Sequence, residues 1–250
     1  MIDNERMNSI TQETPSVLKR FYFDRDLLRR QQINEGRARI IADTVRAKTG
    51  LEFKNRKILE FGCNLGFAIA EFARMGNDCV GADLLQEAIN IAQKRDAGIP
   101  RLQYIKIDGT LPFPDNSFDF VFSSEVLEHV PLDQRKTYFQ EFCRVLKPNG
   151  IGYMSYPNFL FPLEQHYFIP FHHWVQRVFP RPGLIYEDIP SKMKARQMMD
   201  PYFTYQDIGP DFLTHPELRK QRNPLFIFGA RCLSNTPFSI QDYLLLKPKK

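Results

Sequence analysis

The sequence is sparing with reactive side chains: four cysteines, five histidines and one tryptophan in 250 residues. Cys63, Cys79, Cys143 and Cys232 lie far apart without paired spacing, which excludes a zinc site and a disulfide framework and fits reduced thiols in the cytoplasm. No apolar run approaches the ~18 residues of a membrane-spanning helix. The stretch Met1–Glu13 carries Asp3, Glu5, Arg6 and Glu13 and no apolar run, so no secretory signal peptide is expected there. The Gly-Lys-Ser/Thr of an ATP loop is missing, and so is the Gly-x-Gly-x-x-Gly of a dinucleotide site. Internal repeats and low-complexity segments are also lacking.

What is present is an ordinary globular balance, 43% apolar and 25% charged, with a net charge of +5. The charge is uneven. Residues 16–57 hold twelve Lys/Arg against five Asp/Glu, so that segment is +7 and the rest is −2 in sum. Such a face attracts phosphates, acidic substrates or an anionic membrane surface, and it also suits a solvated helix. No nucleic-acid reading motif accompanies it, so no nucleic-acid partner is expected.

Along the chain, residues 1–15 are polar and end in Thr14-Pro15, as a loose arm would. Residues 16–50 have helical character; Ile33, Arg37, Ile40, Ile41, Thr44 and Val45 share one face, and Gly50 stops the helix. Strand and helix then alternate. Strands are expected at 58–61, 79–83, 102–107, 118–123 and 151–156, and helices at 66–75, 85–94 and 133–146. Lys147-Pro148-Asn149-Gly150 has turn chemistry. This alternation predicts an α/β fold with a parallel sheet covered on both faces. After Pro157 the pattern breaks, and residues 157–200 read as a lid inserted over the open edge of the sheet. Residues 201–250 complete a single domain, with a strand at 203–208, a helix at 224–233 and a last strand at 243–247.

The strongest local signal is Glu60-Phe-Gly62-Cys63-Asn64-Leu65-Gly66, a hydrophobic strand entering a glycine turn that opens a helix. Gly62 and Gly66 let the backbone approach a ligand, and Asn64 tolerates a left-handed conformation. Asp83 ends the next strand, 23 residues after Glu60, where a carboxylate can accept both hydroxyls of a ribose. Asp108-Gly109 closes the third strand, where a carboxylate can accept from an adenine amino group.

The ordered set Glu60–Gly66, Asp83, Asp108-Gly109, Leu111–Asp119, Glu125-Val-Leu-Glu128-His129 and Leu146–Gly150 resembles class I S-adenosylmethionine-dependent methyltransferases, nearest the quinone and small-molecule O-methyltransferase branch. The likeness spans about residues 50–160, with residues 51–156 as its cofactor-binding core. Asn64 stands where many members have Gly. The resemblance implies a Rossmann-like, seven-stranded, mostly parallel sheet with an antiparallel last strand. It implies S-adenosyl-L-methionine as cofactor. Glu60, Gly62, Cys63, Asn64 and Gly66 would hold its methionine part and Asp83 its ribose. Leu84, Asp108 and Gly109 would lie at the adenine, and Ser124 and Glu125 at the methyl-bearing end.

Methyl transfer to a hydroxyl also needs a base, for which histidine is suited. His129 follows the fourth strand, at the start of the next helix, and His166 opens the lid; these are the two candidate bases. By resemblance, Glu125, Glu128 and His129 on one helical face could instead bind a divalent ion, but no metal is the preferred reading. Phe159, Phe161, Tyr167, Phe168 and Trp174, interleaved with Arg177, Arg181 and Lys192, suit a small-molecule acceptor that is lipid- or glycan-linked, or a weak peripheral membrane contact. A solvated lid with its own small core fits the same residues. The expected function is O-methylation. The alternatives are N- or C-methylation of a natural product or peptide, and a non-catalytic cofactor-binding protein on the same scaffold.

Overall fold

A computed structural model describes residues 27–161, 189–221, 224–234, 236, 237, 239 and 241–250. The arm at 1–15 and most of the expected lid, with His166, lie outside the described residues.

Seven strands form one sheet in the order β3-β2-β1-β4-β5-β7-β6. They are β1 (Lys57–Phe61), β2 (Asp78–Asp83), β3 (Leu102–Lys106), β4 (Phe118–Ser124), β5 (Leu146–Pro157), β6 (Phe203–Asp207) and β7 (Gln241–Pro248). The central strands are continuous apolar runs, because a sheet covered on both faces buries every side chain. The first five strands pair in parallel, and β7 runs antiparallel to both β5 and β6. The expected mostly parallel sheet with an antiparallel last strand is therefore present.

Helices cover both faces. On one, α1 (Leu27–Thr49) and α2 (Phe67–Arg74) pack Ile40, Ile41, Ile69 and Phe72 against Ile58, Phe120, Phe122 and Tyr153. Ile89 and Ala92 of α3 (Gln86–Arg95) and Phe212 of α6 (Gly209–Thr214) join this layer. On the other, α4 (Arg135–Val145) and α5 (Lys192–Met199) pack against Leu59, Val121, Met154 and Leu244. The short α7 (Pro216–Gln221) and α8 (Pro224–Ser234) complete the chain between β6 and β7.

Three details differ from the sequence expectation. Lys147–Gly150 makes no separate turn: β5 begins at Leu146, and the register jumps from Phe118↔Leu146 to Phe120↔Ile151, so the extra residues form an irregularity inside the strand. The end of the expected lid, Ser191–Asp200, belongs to the core instead, because Ala195 and Met199 of α5 are fully buried beside Phe203. Two short helices, α6 and α7, occupy a stretch with no periodic signal.

The β5–β7–β6 side is fastened by a buried carboxylate. Asp242 is fully buried and accepts from the Tyr156 hydroxyl at 2.7 Å and from Arg196 of α5 at 2.9 Å (Nε) and 2.6 Å (Nη2). Arg196 also donates to Asp207 at 2.7 Å, and the two carboxylates raise its pKa further. Removing one member of a buried pair strands the other, so Asp242→Ala should lower unfolding free energy by about 3–5 kcal/mol in urea titrations. A loss under about 1 kcal/mol would mean that the network does not fasten this side.

Candidate functional site

In an open α/β sheet, ligands bind beyond the carboxyl ends of the strands where strand order reverses. Here that point lies between β1 and β4. The loop joining β1 to α2 stands there, and three sets of contacts hold it.

From beneath, Glu60 turns inward and its Oε2 accepts from the Ile69 backbone N–H at 3.0 Å, tying the strand end to the first turn of α2. The side chain is 6% exposed. Burial is the largest influence on it and pushes its pKa up to about 8, with the nearby Asp83 charge adding to the rise; the Ile69 bond opposes both. From the side, Asp83 accepts from the Asn64 N–H at 2.7 Å and the Leu85 N–H at 3.0 Å, so one carboxylate joins the β1–α2 loop to the β2–α3 loop. The Gly62 and Cys63 N–H groups both donate to the Ala82 carbonyl, at 2.8 and 3.0 Å.

From behind, a buried ion pair does the holding. Arg95 and Asp96 form a bidentate pair, each 5% exposed. Arg95 also donates to the Leu65 carbonyl at 2.6 Å, with its guanidinium over the Phe67 ring at 4.2 Å. The Tyr104 hydroxyl lies 2.6 Å from Asp96 and 3.0 Å from the Gly66 carbonyl. A buried charge pair is tolerable only when its remaining donors and acceptors are satisfied, and here the loop carbonyls supply that. Sequence reading missed these residues. The signal was Arg95 itself, which continues the buried stripe Ala88, Ile89, Ala92 of α3.

The loop's backbone needs its residue types. Gly62, Asn64 and Gly66 all have left-handed φ, at 85°, 48° and 68°. A Cβ on Gly62 would lie 2.4 Å from Val126 Cγ2, and one on Gly66 would lie 2.2 Å from Tyr104 Cε1. Neighbouring side chains therefore already fill the space beside these glycines. Cys63 departs from its expected role in one respect: its thiol is buried in the core, and burial pushes its pKa well up, so only its main chain can face a ligand.

The other expected residues occupy neighbouring strand ends. Leu84 follows Asp83 and is 59% exposed, an apolar side chain on the rim. Asp108 is exposed and folds back on Thr110, accepting from its hydroxyl at 2.7 Å and its N–H at 3.2 Å; these bonds hold its pKa below the usual carboxylate value. Gly109 follows with φ 103°. Ser124 and Glu125 end β4.

Beyond β4 the expected helical face is absent. Glu125 has φ 57°, and only Leu127–His129 forms a turn, of 3-10 type. Glu125 swings toward α1 and β7, where Arg37 donates to it at 2.8 Å and Gln241 at 2.9 Å. Glu128 is buried at 2% exposure, whereas His129 is exposed on the rim. The three residues therefore diverge. Among the described residues no group of three or more His, Cys, Asp or Glu is placed to hold a metal ion.

Comparison with known proteins agrees with this layout. Residues 59–154 match the profile of a family described as "Methyltransferase domain". A methyltransferase of uncharacterised role from Mycobacteroides abscessus is 32% identical over 130 residues, 51% of this chain and 49% of that protein. The ubiquinone biosynthesis O-methyltransferase of Paracidovorax citrulli is 32% identical over 109 residues, 42% of this chain and 45% of that protein. The chain thus spans about half the length of the curated relatives it matches. An S-adenosylmethionine-dependent methyltransferase from Mesorhizobium loti shares the fold at a TM-score of 0.58 and 16% identity, covering 82% of this chain and 96% of that one.

The state of Glu60 gives a test of the loop. Its folded pKa, about 8, lies above the unfolded value near 4.5, so the folded chain binds the extra proton between those limits. Its contribution to stability is therefore full below about pH 4.5 and lost as pH rises through about 8. Glu60→Gln should remove a pH-dependent loss on the order of a few kcal/mol from denaturation curves taken between pH 5 and 9. An unchanged pH slope in a folded variant would mean that Glu60 is ionised in the native loop.

Proposed function

We propose that the core of this chain, matched at residues 59–154 by the methyltransferase-domain profile, is a class I S-adenosylmethionine-dependent methyltransferase that O-methylates a small-molecule, glycan- or lipid-linked acceptor. The observation that carries the reading is the bridge from Asp83 to the Asn64 N–H at the strand-order reversal, which joins two of the expected cofactor loops. The ubiquinone O-methyltransferase among the relatives supports a hydroxyl acceptor.

The residues fit the cofactor. Each Asp83 oxygen accepts one backbone N–H, and a carboxylate has roughly four acceptor positions in all, so capacity remains for ribose hydroxyls. The exposed Leu84 offers an apolar surface to an adenine ring, and Asp108 with Gly109 borders it. The main chain at Gly62, Cys63, Asn64 and Gly66, with Glu60 beneath, cradles the methionine part. Ser124 and Glu125 flank the methyl-bearing end. S-adenosylmethionine, when bound, supplies an activated methyl group on a sulfonium.

What remains for the chain is to align the acceptor, exclude water and remove the hydroxyl proton. His129 takes that proton: it lies on the rim, on the turn that follows Glu125, where an entering acceptor can meet it. His166 is the second candidate and lies outside the described residues. The lid and the weak peripheral membrane contact expected of residues 157–200 rest on the sequence alone, because residues 162–188 lie outside the described residues. Among the described residues no helix is long and apolar enough to cross a membrane.

Two measurements test this reading. In calorimetry, Asp83→Ala should weaken S-adenosylmethionine binding by about 1.5–3 kcal/mol, the value of hydrogen bonds to a charged group; unchanged affinity in a folded variant removes Asp83 from the site. His129→Gln should lower turnover by roughly 10²–10⁴ while cofactor affinity stays within about twofold. Full turnover in both His129→Gln and His166→Gln would exclude both as bases and favour a nitrogen acceptor that is already neutral when bound.

A further inference from the structure

A second polar cluster lies beside the cofactor loops, between α1 and the ends of β4, β5 and β7. Ser124, Ser155 and Tyr243 stand in register across these three strands, and Phe122, Tyr153 and Leu245 form the row beneath. In-register residues share a face, as do residues two apart on a strand, so both rows face α1. Arg37 of α1 lies over the cluster and feels the charge of Glu125 and the Tyr153 and Tyr243 hydroxyls. Glu125 accepts from Arg37 and from Gln241, whose Oε1 accepts from the Tyr243 hydroxyl at 2.5 Å.

Two groups in this cluster are left over. The Tyr153 hydroxyl and the Ser124 Oγ are buried, and among the described residues neither has a hydrogen-bond partner. Ser124 and Ser155 lie beside the Tyr153 hydroxyl without completing that geometry. Native interiors rarely leave a buried hydroxyl unpaired, and here two such groups adjoin Glu125.

Resting on the methyltransferase reading, we propose that the Tyr153 and Ser124 hydroxyls form the floor of the acceptor subsite and select a neutral aromatic acceptor bearing a hydroxyl or carbonyl oxygen. Charge decides the class. Among the described residues the cation that bonds to Glu125 here is Arg37, and that pairing leaves it no net positive charge to offer a carboxylate or phosphate. Burial pushes the Tyr153 pKa up, so the phenol is protonated at neutral pH: it donates to an acceptor oxygen and does not abstract its proton. The ring wall favours an aromatic body, with Phe212 stacked on Tyr243 at 4.3 Å and on Tyr153 at 6.4 Å. The Arg37–Glu125 pair is the cover. Its side chains are 21% and 37% exposed, and an ion pair so open to water yields readily to an entering molecule.

The test uses the whole chain with S-adenosylhomocysteine, catechol as the neutral probe and benzoate as the anionic one. S-adenosylhomocysteine is titrated first by calorimetry; if it does not bind, the methyltransferase reading fails and this inference with it. On the loaded protein, ligand-observed NMR should show catechol binding at least tenfold tighter than benzoate. Tyr153→Phe and Ser124→Ala should each raise the catechol Kd about threefold to tenfold, the worth of one hydrogen bond. Because an unpaired buried hydroxyl contributes nothing to folding, the Tm of Tyr153→Phe should equal or exceed that of the parent. With S-adenosylhomocysteine bound, three results overturn the subsite alone. They are no catechol binding or a benzoate preference, an unchanged catechol Kd in both variants, and a Tm of Tyr153→Phe several degrees below the parent.

Discussion

The site depends on how one seven-residue loop, Glu60–Gly66, is held. A loop at the end of a parallel strand has few hydrogen-bond partners of its own, because the ladder stops and the helix has not begun. This chain supplies partners from three directions: the Glu60 carboxyl group to α2, the Asp83 carboxylate to Asn64, and the Arg95–Tyr104 group to the Leu65 and Gly66 carbonyls. Asp83 is the member proposed to meet the ligand. It uses one acceptor position on each oxygen to fix the loop, so on the proposed reading the group that shapes the site keeps acceptor capacity for a ligand.

Placing Arg95 and Asp96 in the interior has a physical cost, since both charges leave water. The cost is offset because each is the other's partner and the remaining donors meet main-chain oxygens that would otherwise lie unpaired. The arrangement also explains the close fit around Gly66. Tyr104 can reach the Gly66 carbonyl only if its ring lies where a Cβ would be. Glycine at this position is therefore required twice, by its left-handed φ and by the tyrosine that stabilises its carbonyl.

Much of this was legible in the sequence because the strongest physical rules act locally. The strands β1, β2 and β4 are short, mostly apolar stretches between turn residues, a length and pattern that fit interior strands. The loop residues were legible because left-handed positions restrict residue type. Other features escaped for equally physical reasons. Lys147–Gly150 has turn chemistry, yet the neighbouring strand absorbs it as an irregularity, and no local rule reports which outcome the pairing partner selects. The spacing of Glu125, Glu128 and His129 suggests one helical face, but Glu125 takes a left-handed φ and the face never forms. Arg37 and Arg95 both sit in apolar stripes. That position is the visible sign of a buried arginine, though its partners, Glu125 and the Leu65 carbonyl, lie 88 and 30 residues away.

The two halves of the site are built by different means. Toward β3, β2 and β1, the groups expected to hold the cofactor are main-chain turns with their carboxylates, and their geometry follows from a few residue types in fixed order. Toward β5 and β7, the proposed acceptor side is made of side chains from α1 and three strands, brought together by the antiparallel return of β7. Gln241 and Tyr243 reach the parallel strands' carboxyl end because β7 enters the sheet from that end. A short motif can therefore specify the first half, whereas the second exists only once the whole sheet has closed. It follows that relatives aligned over about half of this chain can share the cofactor half while differing in every residue that meets the acceptor. On the proposed subsite, acceptor choice would rest on Tyr153 and Ser124, with Arg37, Gln241 and Tyr243 around them, residues that come from separate elements rather than from one compact motif.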